Sequence, residues 1–163
     1  MAEAYLFTGS NMGNRLEKIE EAARLITEHV GSIKKASAIY ETEAWGNPNQ
    51  AAFLNQALIV ETSLSPEELL KKNLWIEHQM GRERLIKWDP RLIDIDILLY
   101  DNLVLNTEDL TIPHPYLHKR RFTLTALAEI AGKVVHPLLK KTINELLIDC
   151  ADPLMVKPYN YAT

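Results

Sequence analysis

The stretch R-L-I-D-I-D-I-L-L-Y, residues Arg91 to Tyr100, sets two aspartates inside a run that otherwise reads as a buried β-strand. Aspartate is depleted in strands and is rarely buried without a partner. Side chains alternate along a strand. Asp94 and Asp96 therefore share one face with Cα atoms roughly 6.6 Å apart, while Ile93, Ile95, Ile97 and Leu99 are expected on the other. Two carboxylates held this close raise each other's pKa unless a cation lies between them. An all-oxygen donor pair suits Mg²⁺, which takes one or two carboxylates together with waters and substrate phosphates. Paired metals recur in phosphoryl transfer. By itself D-x-D fits an edge strand with a solvated face equally well.

Working outward from this strand, Ala4 to Thr8 predicts a short buried strand, stopped by Gly9-Ser10-Asn11. Leu16, Ile19, Ala22, Ala23, Ile26 and Val30 recur at helical spacing, and Gly31 is expected to end that helix. Ile33 to Thr42 and Phe53 to Thr62 predict two further strands, joined by the turn-rich loop E-A-W-G-N-P-N-Q-A-A. Ser65-Pro66-Glu67-Glu68 is a capping box with proline at the first helical position, and its helix runs to about Met80 and Gly81. Gly81 to Pro90 is a charged loop leading into the aspartate strand. Asp101-Asn102 suits a turn, with Leu103 to Leu105 as a short returning strand. A third helix is expected over Thr123 to Ala131, and Thr142-Ile143-Asn144-Glu145 caps a last one.

The order β-α-β-β-α-β followed by helices predicts an α+β, ferredoxin-like antiparallel sheet with helices packed on its faces and a helical C-terminal extension. No repeat or linker divides the chain, so residues 1–163 are read as one domain. That length buries a core without disulfides or structural metal. Cys150 is the only cysteine, which excludes an internal disulfide and a cysteine-based zinc site and fits a reducing compartment. Neither a signal-peptide pattern nor a long apolar run is present, so a cytoplasmic location is expected.

A net charge of −4 argues against a nucleic-acid partner. Cations are nevertheless concentrated on two loops. Arg82, Arg84, Lys87 and Arg91 precede the aspartates, and His118, Lys119, Arg120 and Arg121 follow the turn containing His114. Arginine forks match phosphate oxygens bidentately, and lysine acts as a point charge. Each cluster alone is more often a solvated surface. Flanking a D-x-D pair in an acidic protein, together they point to a polyphosphate–magnesium substrate. The G-x-x-x-x-G-K-[ST] loop is absent, which excludes a P-loop enzyme. In H-P-Y-L-H, Pro115 is expected to start a short helix and separate His114 from His118, which disfavours zinc.

Several motifs in order resemble the 6-hydroxymethyl-7,8-dihydropterin pyrophosphokinases of folate biosynthesis. They are G-S-N-M-G at 9–13, Y-E-T at 40–42, F-L-N at 53–55, E-T-S-L-S-P-E-E-L-L at 61–70, and I-E-x-x-x-G-R at 76–82. W-D-P-R-L-I-D-I-D-I-L-L-Y at 88–100, T-I-P-H-P at 111–115, R-R-F at 120–122 and A-E-I-A at 128–131 complete the likeness. The resemblance implies transfer of diphosphate from ATP to the hydroxymethyl group of the reduced pterin, with two Mg²⁺ ions on Asp94 and Asp96. It places Arg82, Lys87 and Arg91 in the catalytic machinery, and Arg84, Lys87, Trp88, Arg91, Ile97, His114 and Arg120 around ATP. Trp88 would ride on a loop that closes over the substrates. Phe53 and Phe122 would stack on the pterin, with Thr42, Glu43, Ala44, Trp45, Asn55 and Trp88 completing its pocket.

Lys87 stands where many relatives carry arginine, Phe53 where some carry tyrosine, and Asp109 where some carry a basic residue. Ala44-Trp45 departs from a proline-containing version of that loop. A monomer is expected, with ATP and the pterin as its partners. Two other readings stay open from the residues. One is a nucleic-acid module on a ferredoxin-like sheet, which the acidic balance opposes. The other is a non-catalytic pterin or nucleotide binder, which has little reason to keep both aspartates.

Overall fold

A computed structural model describes residues 1–42, 52–81 and 93–159. Strand β1 (Ala2–Ser10) is central, pairing antiparallel with β4 (Phe53–Thr62) on one side and β5 (Asp94–Tyr100) on the other. Beyond β4 lie β2 (Gly31–Ala36) and β3 (Tyr40–Thr42), which occupy successive stretches of the same edge. The strand order β5-β1-β4-β3 is the expected ferredoxin-like arrangement.

Helices α1 (Arg15–His29) and α2 (Pro66–Gln79) cover one sheet face. Ile19, Ala22 and Ile26 of α1 and Leu69 and Ile76 of α2 meet Leu6, Leu58, Ile93, Ile95 and Ile97 there. The Ser65 capping box forms as its sequence requires, with Ser65 and Glu68 each satisfying the other's backbone N–H. Gly81, at φ 89°, takes the left-handed position after that helix. Helices α3 (Arg121–Ala131) and α4 (Ile143–Asp149) cover part of the opposite face, over Tyr5, Phe7, Ala57 and Ile59.

Four expectations need correction. Ile33 to Thr42 is not one strand: Ser37 breaks it, because its side-chain oxygen accepts the Ala57 N–H that strand pairing would use. The helix α1 does stop just ahead of Gly31, which is also the first residue of β2. A Cβ there would lie 2.0 Å from the Glu61 carbonyl oxygen, so the residue serves close strand approach. Leu99 does not share the face of Ile97. The pairing with β1 shifts between Tyr5 and Leu6, leaving Leu98 as an extra residue, and both Leu98 and Leu99 enter the core under α3.

The short strand β6 (Leu105–Asn106) pairs with β7 (Thr111–Ile112) rather than returning to β5. The C-terminal extension is not helical throughout: β8 (Val156–Pro158) joins the main sheet beside β3. Its three residues carry no alternation long enough to announce a strand.

Candidate functional site

The face that α3 and α4 leave partly open carries the polar positions. Cross-strand pairing puts Asp94 beside Gly9, Gly9 beside Asn55, and Asn55 beside Tyr40. Paired residues point to the same face, so one row crosses four strands, with a carboxylate on the first, an amide on the third and Tyr40 on the fourth. The next row joins Asp96 to Phe7 and Phe7 to Ala57. With neighbouring strands about 4.8 Å apart, Asp94 and Asn55 stand roughly 10 Å apart at the backbone.

Asp94 and Asp96 are both partly exposed and share this face, as the alternation requires. The opposite side of the strand is fixed by Glu77 of α2. Its carboxylate is buried and accepts the Ile95 N–H at 2.7 Å, bracing the backbone between the two aspartates. Ile97 is buried in the core beneath α1 and α2, so its side chain faces away from the aspartates.

Arg120 immediately precedes α3 and sits with its guanidinium 4.9 Å from the Tyr116 ring and 5.9 Å from the Phe122 ring. Burial lowers its pKa, and the Asp96 carboxylate opposes that shift by favouring the charged form. His114 follows the cis Ile112–Pro113 bond and donates its backbone N–H to the Leu98 carbonyl at 2.9 Å. Burial, with help from Arg120, pushes its imidazole down to about 4. Its Nδ1 accepts the Tyr116 N–H at 3.2 Å, so the ring hydrogen of the neutral form lies on Nε2. His114 and His118 fall on either side of the turn into the 3₁₀ segment Leu117–Lys119. Among the described residues no three His, Cys, Asp or Glu side chains gather as a metal cluster.

Further along the row Asn55 is 4% exposed, and Thr42, on the neighbouring strand, is 2% exposed. The Thr42 hydroxyl donates to Asn55 Oδ1 at 3.0 Å, and Asn55 Nδ2 donates to the Thr8 carbonyl at 3.3 Å. Gly9 makes room for them: a Cβ there would lie 2.6 Å from Asn55 Nδ2 and 3.7 Å from Phe53 Cδ1. Phe53 is partly exposed beside this pair. Phe122 is 8% exposed and stacks on Phe7 with ring centroids 5.9 Å apart. Phe122 packs in the core beneath the first turn of α3 and lies 5.9 Å from the Arg120 guanidinium.

The structure therefore brings Asp94, Asp96, Arg120, Asn55, Thr42, Phe53 and Phe122 to one side of the sheet, with His114 beside Arg120. Arg82, Arg84, Lys87, Trp88, Arg91, Glu43, Ala44 and Trp45 lie outside the described residues. Gly9, Phe7 and Glu77 were not singled out by side-chain chemistry. A glycine at the end of a strand pattern is the one signal that marked Gly9.

Comparison with known proteins identifies what the chain is similar to. Residues 5–132 match the family model for 7,8-dihydro-6-hydroxymethylpterin-pyrophosphokinase. The chain is 46% identical over 145 residues to the 2-amino-4-hydroxy-6-hydroxymethyldihydropteridine pyrophosphokinase of Aquifex aeolicus, covering 89% of this chain and 90% of that one. It is 43% identical over 132 residues to the Bacillus subtilis protein of the same name, covering 80% and 79% respectively. The fold is similar to that in a crystal structure of wild-type Plasmodium falciparum HPPK-DHPS, with a TM-score of 0.73 at 18% identity. That match covers 91% of this chain and 43% of the longer one.

Proposed function

Because the chain belongs to the 7,8-dihydro-6-hydroxymethylpterin-pyrophosphokinase family, we propose that its open sheet face transfers a diphosphate from ATP to the hydroxymethyl oxygen of the reduced pterin, releasing AMP. Membership makes the protein a diphosphotransferase of folate synthesis with ATP as co-substrate. The observation that supports the reaction face best is the row from Asp94 through Gly9 to Asn55. It sets a carboxylate at one end, next to the row of Asp96 that faces Arg120, and a neutral, hydrogen-bonded amide beside Phe53 about 10 Å away. Triphosphate and flat heterocycle then meet between them.

At the neutral end, Asn55 and the backbone around Thr42 read the pterin's amide edge, and Phe53 and Phe122 stack on its faces. At the anionic end, Arg120 holds phosphate oxygens, and neutral His114 offers Nε2–H as a donor without adding charge. In the same reading Arg82, Arg84, Lys87, Trp88 and Arg91 contribute to ATP binding, and Glu43, Ala44, Trp45 and Trp88 to pterin binding. Ile97 contributes through the core that sets the strand rather than by side-chain contact. The partly exposed all-oxygen pair Asp94 and Asp96, with no third protein ligand among the described residues, fits cations completed by substrate phosphates. Two Mg²⁺ ions held there would neutralise charge developing on the phosphates and lower the acceptor hydroxyl's pKa. The side chains align the hydroxyl oxygen with the β-phosphorus and exclude water; the catalytic work is positioning and charge neutralisation.

We read residues 1–163 as one catalytic domain acting as a cytoplasmic monomer. No helix among the described residues is long and apolar enough to cross a membrane. Incubation with ATP and Mg²⁺ should release AMP only after 6-hydroxymethyl-7,8-dihydropterin is added. ADP as the product, or AMP formation independent of the pterin, would contradict the assignment.

A further inference from the structure

We propose that the C-terminal segment 150–158 is a strap that sets the spacing of the two pocket walls, with Asp152 as its positioning residue. The inference rests on the pterin and ATP reading of those walls. It concerns a part of the chain beyond residues 5–132, where the family match lies.

The first wall is the start of α3. Its N-cap residue, Arg120, supplies no side-chain cap, so the first backbone N–H groups of the helix need acceptors from elsewhere. Asp152 supplies one from 31 residues away in sequence: its Oδ2 accepts the Arg121 N–H at 3.0 Å. The other carboxylate oxygen, Oδ1, accepts the Leu154 N–H at 3.0 Å, which orients the aspartate from its own side. Arg121 returns the contact, donating Nε–H to the Asp152 carbonyl at 2.9 Å and an Nη2 hydrogen to the Cys150 carbonyl at 2.7 Å. Asp152 is 7% exposed, so these bonds compete little with water. A carboxylate at a helix N-terminus also complements the helix dipole, and Asp152 adds to the field that keeps Arg120 charged.

The second wall is β3. Four residues beyond Asp152 the same segment enters β8, whose Val156 pairs with Thr42 and whose Pro158 pairs with Tyr40. Tyr159 then donates its N–H to the Ile39 carbonyl at 2.7 Å. One short run of backbone is therefore bonded at its start to the helix turn bearing Arg120 and Phe122, and at its end to the strand bearing Thr42. Slackening either end lets the aromatic wall and the Thr42–Asn55 wall drift apart. Substrate would still reach the site but would be held in the wrong geometry.

The test compares Asp152→Ala and Asp152→Asn with Ile26→Val, a buried substitution in the core on the opposite face. Each is assayed for AMP release well below its own Tm, and the amide resonances of Thr42 and Phe122 are followed by NMR. Asp152→Ala should raise the KM for the pterin by about tenfold and shift both resonances. Asp152→Asn, which can keep only one of the two N–H contacts, should fall between it and the wild type. Ile26→Val should lower Tm with KM and both resonances unchanged. If Asp152→Ala does not fold, Asp152→Asn carries the same comparison. Wild-type KM together with an unmoved Thr42 resonance in the Asp152 variants would overturn the strap. If the wild type itself releases no AMP, the reading of the walls fails, and the resonances alone decide the strap: movement of Thr42 supports it and constancy overturns it.

Discussion

Thr42 on β3 donates its hydroxyl hydrogen to Oδ1 of Asn55 on β4 across a 3.0 Å bond, and both side chains are buried. With Asn55 Nδ2 committed to the Thr8 carbonyl, the amide is fixed in one orientation. A pre-set amide loses no rotamer freedom on binding, which favours recognition of a heterocycle edge.

Gly9→Ala should therefore harm pterin binding more than ATP binding. The added methyl lies 2.6 Å from Asn55 Nδ2 and must displace it. Calorimetry should show the pterin Kd raised by at least about tenfold, or ~1.4 kcal/mol, with the ATP Kd changed by less than about threefold. Unaltered pterin affinity would mean that Asn55 is not read by the ligand.

Asp94→Asn and Asp96→Asn should each lower kcat by more than about 100-fold, as expected when charge stabilisation of a transition state is lost. Asp96 lies in the field of half-buried Arg120, so neutralising it removes a favourable interaction along with the repulsion from Asp94. Thermal unfolding without Mg²⁺ should show Asp96→Asn below the wild-type Tm. A Tm at or above wild type would show that Arg120 does not compensate Asp96.

Phe122→Ala should produce two separable losses. Its ring packs on Phe7 in the core beneath α3, so truncation should cost roughly 3–5 kcal/mol of stability. Stacking on the pterin should account for a further loss in binding of about 1–3 kcal/mol, if a pterin behaves like a nucleobase. Phe122→Leu should recover much of the stability and little of the pterin affinity. Denaturant titration and calorimetry on the two variants separate these roles; recovery of both in parallel would assign the ring to packing alone.

His114 predicts an acid limb in stability. Its pKa is held at about 4 in the folded protein, below the ordinary 6.5, by burial first and Arg120 second. Between those values the unfolded chain binds a proton that the folded protein excludes. Stability is thus full above about pH 6.5 and is lost as pH falls towards 4. His118 and His136, both also lowered by burial, act in the same direction. His114→Asn, whose Oδ1 can still accept the Tyr116 N–H, should flatten the fall in Tm between about pH 6.5 and 4. Parallel Tm curves for variant and wild type would place the acid limb elsewhere.

Much of this architecture was legible because long periodic segments carry their own physics. The Ser65 capping box, the α1 stripe and the alternating Asp94 and Asp96 all specify their local structure within a few residues. Features that depend on a distant partner were not legible. Leu99 changes face because of a pairing shift opposite Tyr5 and Leu6, which no alternation within 93–100 reveals. Gly31 is small because of Glu61, and β8 is a strand because β3 offers it an edge. In the candidate site, Asp94 and Asp96 declared themselves by residue type, and Asn55 only through the family resemblance. Asp152 did not, since its partner Arg121 precedes it by 31 residues and lies in another element. Phe122 was ambiguous in sequence for a physical reason: one ring both fills the core and lies beside Arg120.

This sheet face should move a diphosphate as one unit onto the pterin hydroxymethyl oxygen. A single-turnover reaction with ATP labelled at the β-phosphorus, run with wild type and with Asp96→Asn, tests it directly. The expected result is label appearing in the pterin product in step with AMP, at a rate more than about 100-fold lower in Asp96→Asn. Label remaining in ADP, or equal transfer rates in the two proteins, would contradict it.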